Sequence, residues 1–233
     1  MSGLDVPNGY MRRIRSYVRR EGRITTAQRR ALEDLWPRFG VADSSDQLDL
    51  GALFGRTAPV ILEIGFGDGQ SLCAMAAAHP EQDYLGVEIH RPGVGRLLRD
   101  LDAQAIRNVR VMCEDACSIL ANKVQDEQLH GVHLFFPDPW PKARHHKRRL
   151  VQVEFAETVR CRLVVGGYLH LATDWEPYAQ HMMAVMTQAP GFENSAGPGR
   201  FAPRPQNRPF TKFERRGQRL GHGVWDLIFQ RSS

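Results

Sequence analysis

One carboxylate, Asp138, stands between Pro137 and Pro139 in the stretch FFPDPWPKARHHKRR, residues 135–149. Prolines 137, 139 and 141 each fix their own φ and lack an N–H, so neither a helix nor a sheet ladder continues through them. Each also drives the residue before it toward extended geometry. The expectation is a stiff, exposed loop that holds one acid, Asp138, and one aromatic, Trp140, in set positions. Five cations follow at once: Lys142, Arg144, Lys147, Arg148 and Arg149. A lone acid in a rigid loop beside a phosphate-binding patch suggests chemistry on a nucleic acid. Trp140 can stack on a base or pack against the body, and the residues alone leave both open.

A second chemical stretch is LEIGFGDG, residues 62–69. Glycines 65, 67 and 69 let a backbone turn sharply and approach a ligand closely. Glu88 ends the next apolar run, where an acid accepts hydrogen bonds from ribose hydroxyls. Two details argue against a dinucleotide. The spacing is GxGxG, and Glu63 would repel a pyrophosphate. A cationic nucleoside ligand with no phosphate suits Glu63, Gly65, Gly67 and Glu88 together, and S-adenosylmethionine is one. Asp115, after the third strand, has two compatible readings: a contact to the adenine amino group, or the N-cap of the following helix. Asp174 in LATDW likewise reads as an edge acid or as a helix N-cap. Thr211–Glu214, TKFE, matches a capping box for a helix over Lys212–Arg219, or an element that places Thr211 and Glu214 over an acceptor.

The elements that must position these residues follow from periodicity. Apolar runs at 59–64, 83–89, 109–113, 130–136 and 167–172 alternate with helical patterns at 70–78, 92–103, 116–124, 149–163 and 176–187. That alternation implies βαβ units, hence an α/β fold with a mostly parallel sheet of about seven strands and helices on both faces. GVWDLIFQ, 223–230, reads as an antiparallel last strand at the sheet end. In such a sheet the ligand crevice lies beyond the C-terminal ends of the strands, which places Asp138 beside the donor. A helix capped by Thr25 or Thr26 is expected over 27–39, a linker that packs back over 40–55, and a mobile loop over 189–210.

Composition narrows the partners. The chain has 233 residues and a net charge of +5, divided unevenly. Residues 1–39 hold nine Lys/Arg against four acids, 40–137 seven against fourteen, 138–149 five against one, and 200–233 eight against two. An acidic body flanked by three basic segments points to a polyanion. There is no membrane-length apolar run and no apolar core of a signal peptide, so neither a membrane nor secretion is expected. The four cysteines form no CxxC pair or metal-like set with histidine, so no metal is expected and the thiols read as reduced, in a cytoplasmic protein.

Together these motifs resemble the bacterial tRNA (guanine-N7)-methyltransferases. The resemblance runs from about Arg12 to the end, through RSYVRREGRIT (15–25), LEIGFGDG, GVEIH (86–90), the proline stretch, LATD (171–174) and TKFE. PDPWPK followed by RHxKRR is its most specific part. It implies a Rossmann-like class I methyltransferase fold over residues 56–233, with 1–55 a basic arm and helix packed on it. It implies methyl transfer from S-adenosyl-L-methionine to N7 of guanosine at tRNA position 46, in the variable loop. It also implies that Glu63, Glu88, Asp115 and Asp138 line the donor site, with Asp138 catalytic. Lys142, Asp174, Thr211, Lys212, Phe213 and Glu214 would contact the substrate, and Arg144, His145, His146, Lys147, Arg148 and Arg149 the RNA. His146 departs from the small polar residue expected there. Both monomers and homodimers occur among such proteins, so oligomeric state does not carry over. A small-molecule methyltransferase would have no use for three basic segments, and a non-catalytic RNA-binding protein no use for the carboxylate set.

Overall fold

The computed structural model describes residues 22–42, 46–210, 214 and 223–233. Its strands are β1 (Val60–Ile64), β2 (Asp83–Val87), β3 (Val109–Met112), β4 (Leu129–Phe135), β5 (Leu163–Thr173), β6 (Phe192–Asn194) and β7 (Trp225–Arg231). They form one sheet in the order β3-β2-β1-β4-β5-β7-β6. β1 to β5 pair in parallel, and β7 runs antiparallel to both β5 and β6. The helices are α1 (Thr26–Asp34), α2 (Trp36–Phe39), α3 (Leu50–Phe54), α4 (Gln70–Ala78), α5 (Arg91–Ala103), α6 (Ala116–Asn122), α7 (Val153–Arg162) and α8 (Glu176–Gln188). No helix among the described residues is long and apolar enough to cross a membrane.

The strands are almost wholly buried, as parallel strands covered on both faces must be. Successive side chains alternate between the faces. Leu62, Leu85, Val132, Leu169 and Leu227 line one face and pack with Ile119, Phe155, Val159, Tyr178 and Met182 from α6, α7 and α8. Ile61, Tyr84 and Val109 line the other and pack with Ala31, Leu72, Val94 and Leu97 from α1, α4 and α5. On that second face β4, β5 and β7 carry buried polar residues, His133, His170 and Asp226. Glu63 and His133 face each other in register across β1 and β4, and His133 and His170 across β4 and β5.

Five expectations need correction. The helix expected over 27–39 is two helices. Thr25 does cap the first, accepting from the Gln28 N–H at 3.2 Å while Gln28 accepts from the Thr25 N–H at 2.9 Å. The break falls at Leu35, just before Pro37, which supplies no N–H to continue the ladder. Residues 40–55 are more than a linker, since Asp49 caps α3 through the Ala52 N–H at 2.9 Å and Leu48 and Leu50 join the core. Residues 189–210 are tied down by β6, by the pairing of Ala202 with Asp226 and by Asn194, which donates to the Arg200 carbonyl at 3.0 Å. The last strand in sequence is therefore not the sheet edge: β7 lies inside and β6 forms the edge. The helix expected over 149–163 starts only at Val153, after a 3-10 helix over Ala143–Arg148.

Candidate functional site

The C-terminal ends of β1 to β5 gather the chemical residues at one edge of the sheet. Behind β1, Gly65 and Gly67 take left-handed φ of 70° and 60°, and a Cβ at either would meet nothing within 4 Å. The loop therefore faces open space on the side of its glycines. Its other side is closed: a Cβ on Gly93, at the start of α5, would lie 2.0 Å from the Gly67 carbonyl. Glu88 braces the loop. Its carboxylate accepts from the backbone N–H of Gly67 at 2.9 Å, Ile89 at 2.7 Å and His90 at 2.9 Å. A carboxylate has about four lone-pair sites, so capacity remains for a ribose hydroxyl.

Glu63 is the most demanding residue of the site. It is 3% exposed, and its Oε2 has no hydrogen-bond partner. Burial pushes its carboxyl up to about 8. An unpartnered buried polar atom costs about 1–3 kcal/mol, a cost that a cationic or hydrogen-bonding ligand would offset. This orphaned oxygen beside an open glycine loop fits S-adenosylmethionine, which brings a sulfonium and an ammonium. Asp115 caps α6 by accepting from the Cys117 N–H at 3.1 Å, so the N-cap half of its double reading holds.

Behind β4 the chain leaves the sheet through Phe136, whose N–H donates to the Ala172 carbonyl at 2.8 Å. Phe136 and Trp140 both take left-handed φ, 52° and 46°. Such values are outliers for bulky side chains, so the loop is held by its surroundings. One holder is Arg149. It is 4% exposed, donates through Nε to the Pro139 carbonyl at 3.0 Å, and lies over the Tyr178 ring at 4.9 Å. Its placement differs from the RNA contact expected of it: the guanidinium points into the protein and braces the proline loop. Asp138 is exposed, with no hydrogen bond or ion pair among the described residues.

The remaining cations stay outside. Lys142, Arg144 and Lys147 are exposed, and Arg148 is half-buried with its guanidinium 5.0 Å from the centre of the Trp140 ring. His145 packs edge-on against the same ring at 5.7 Å. Desolvation, with Arg144, Arg148, Lys142 and Lys147 around it, lowers the His145 pKa and so favours the neutral ring. His146 is half-buried and spends its carbonyl on the N–H of Arg149 and the amide of Gln152. Trp140 is thus packed between a histidine edge and a guanidinium.

Behind β5, Asp174 is exposed and does not cap α8. The N-cap position is Trp175, with no side-chain hydrogen bond, and the Trp175 N–H goes to Thr173 Oγ1 at 3.2 Å. The competing structural reading of Asp174 therefore fails. Thr211, Lys212 and Phe213, and the helix expected from them, lie outside the described residues. Glu214 is described, and it is buried at 1% exposure against Arg208 rather than presented at the surface.

Sequence reasoning missed the buried polar row on the second face. His133 Nε2 meets the Tyr168 hydroxyl at 2.9 Å while its Nδ1 is without a partner, and burial together with His170 holds its pKa well below 6.5. His170 Nε2 lies 2.7 Å from Asp226 Oδ1. Burial pushes the Asp226 carboxyl up, but hydrogen bonds from His170 and Arg208 outweigh it and leave it below its usual range. The signal was present: His133 in HGVHLF, and Tyr168 and His170 at alternate positions in YLHLAT, break otherwise apolar strands.

Comparison with known proteins places this geometry. The family model Methyltransf_4, described as "Putative methyltransferase", matches residues 57–227. The chain is 58% identical over 221 residues to the tRNA (guanine-N(7)-)-methyltransferases of Shigella boydii serotype 4 and Escherichia coli K12, covering 95% of this chain and 92% of each relative. Among solved structures, the 16S rRNA methyltransferase KamB aligns with a TM-score of 0.61 at 14% identity, over 84% of this chain and 99% of that one. The antibiotic-resistance methyltransferase Kmr aligns with a TM-score of 0.54 at 20% identity, over 83% and 95%. These two likenesses speak to the fold.

Proposed function

The chain belongs to the tRNA (guanine-N7)-methyltransferase family, and we propose that it methylates N7 of guanosine 46 in the variable loop of tRNA, forming 7-methylguanosine. S-adenosyl-L-methionine supplies the methyl group on a sulfonium. Glu63, Gly65, Gly67, Glu88 and Asp115 are the residues that would hold it, and the orphaned Glu63 oxygen is the observation that favours a cationic donor. The methyltransferase unit is read as residues 56–233. We read the protein as cytoplasmic, in keeping with a tRNA substrate.

The observation that carries the reaction is Asp138: an exposed carboxylate with no hydrogen bond or ion pair among the described residues, on a loop leaving the strand next to the glycine loop. Guanine N7 has a free lone pair, so no proton need leave before attack. The base gains positive charge as the methyl arrives, and a fixed carboxylate stabilises that charge or orients the base through its N–H groups. Asp138 therefore acts electrostatically rather than as a proton-abstracting base. Lys142, Arg144, Lys147 and Arg148 hold phosphates, and Asp174 contacts the acceptor.

The test is mass spectrometry of tRNA fragments after incubation with S-adenosylmethionine. A single methyl on the guanosine of the variable loop is expected. A methyl on another base, or on another loop, would refute the assignment.

A further inference from the structure

Among the described residues, Arg208 is the largest side chain buried completely, at 1% exposure. Its guanidinium spends four hydrogen bonds on two carboxylates. Nε and Nη2 donate to Asp226 Oδ1 and Oδ2 at 2.7 and 2.9 Å, and Nη1 and Nη2 donate to Glu214 Oε2 and Oε1, both at 2.8 Å. This is double bidentate recognition, which needs the planar fork of arginine and which a lysine ammonium cannot reproduce.

The cluster joins three parts of the chain. Asp226 is the second residue of β7 and pairs with Ala172 on β5, whose carbonyl takes the Phe136 N–H. The Arg208 guanidinium carbon lies 5.9 Å from the Phe135 ring and 5.7 Å from the Phe136 ring. Phe136 stands two residues before Asp138. Arg208 therefore rests on the root of the loop that presents Asp138 while gripping the last residue of TKFE. A buried ion cluster is weak evidence for stability, because well-packed apolar residues often do as well in its place, and fixing register is its best-attested use.

We propose that Arg208 is a positioning residue for the methyl acceptor: its fork fixes Glu214 relative to Asp226 and the root of the Asp138 loop. Glu214 then acts as an anchor for the acceptor side rather than as an exposed contact. This inference rests on the proposed tRNA methylation. Wild-type activity on tRNA tests that reading, and the variants below test Arg208 against the active wild type.

The informative variant is Arg208→Lys, which keeps the charge and loses the fork. Steady-state methylation of tRNA, calorimetric binding of S-adenosylmethionine and thermal melting are measured on each protein. The expected result is at least a tenfold fall in kcat/KM for tRNA, with the S-adenosylmethionine Kd within twofold of wild type. Glu214→Gln should give a fall of the same kind, and adding it to Arg208→Lys should cost less than it does alone, since both act through one contact. Wild-type kcat/KM in Arg208→Lys overturns the proposal. So does a loss of donor binding in step with activity, because that marks a role in the fold as a whole. Should Arg208→Lys fail to fold, Glu214→Gln decides on the same two readouts.

Discussion

Two loops leave neighbouring parallel strands at the same edge of the sheet, and they solve opposite problems. The loop after β1 uses glycines: Gly65 and Gly67 take left-handed φ with open space beside them. The loop after β4 uses prolines, and two bulky residues, Phe136 and Trp140, are held in the same left-handed region. The first is tied to the body by its own backbone N–H and Glu88, and its key acid, Glu63, is buried. The second is pinned through a carbonyl by Arg149, and its key acid, Asp138, is exposed. On the proposed reading, a small donor is enclosed by backbone and a buried carboxylate, while a tRNA, too large to enclose, meets a loop stiffened from behind and bare in front.

Substitutions at the two acids should separate the loops most strongly. Asp138→Ala removes the carboxylate proposed to meet developing charge, and methylation should fall about 100- to 1000-fold. Binding of S-adenosylmethionine, read by calorimetry, should change little. Equal losses in both would erase the distinction between the loops.

Glu63→Gln should do the reverse, weakening donor binding about tenfold, as expected when a buried ionic partner becomes a neutral one. It also carries a signature in pH. The Glu63 carboxyl moves from an ordinary 4.5 to about 8 on folding. Between those values the unfolded chain has lost the proton and the folded chain keeps it, so Glu63 makes stability fall as pH rises across that window. The effect is on the order of a few kcal/mol, and Glu63→Gln should flatten that slope in denaturant titrations from pH 5 to 8. A cationic ligand would reverse the preference, so binding at pH 7 should release close to one proton, measurable in buffers of different ionisation enthalpy. Wild type and variant with the same proton count would exclude Glu63 as the group.

A finer contrast lies within the cation run itself. Arg148→Ala should raise the tRNA KM a few-fold and lower the slope of log affinity against log salt by about one. Arg149→Met should leave that slope unchanged, because its guanidinium is buried, and should lower kcat several-fold through the loosened proline loop. Equal salt slopes for the two variants would show that Arg149 does reach phosphate.

Five parallel strands and the glycine loop were readable because each rests on local signals: apolar runs, glycine spacing and an acid at a strand end. The positions of Arg149 and Glu214 were not. In sequence Arg149 is the last of five cations, and what turns it inward is Tyr178 and the Pro139 carbonyl, brought near only by the fold. Glu214 sits in a capping-box pattern, while its described partner is Arg208, itself fixed by an aspartate on β7. β6 was missed because Phe192–Asn194 is only three residues long, with Glu193 exposed and its neighbours half-buried, too short to show a period. The readings of Asp115 and Asp174 were matched in sequence, an acid ahead of a helix in each case, and only the backbone geometry separates a cap from a bare carboxylate.

The reversed strand β7 also sets an order of assembly. Among the described residues β6 pairs only with β7, and Asp226, the hub of the Arg208 cluster, is itself part of β7. During synthesis, chains fold from the N-terminus as segments emerge. β1, β2 and β3, with the glycine loop between the first two, can therefore come together while the ribosome is still far from residue 225. The Arg208 cluster and the sheet edge must wait for the last strand. On the proposed reading, a nascent chain thus completes its donor side well before its acceptor side.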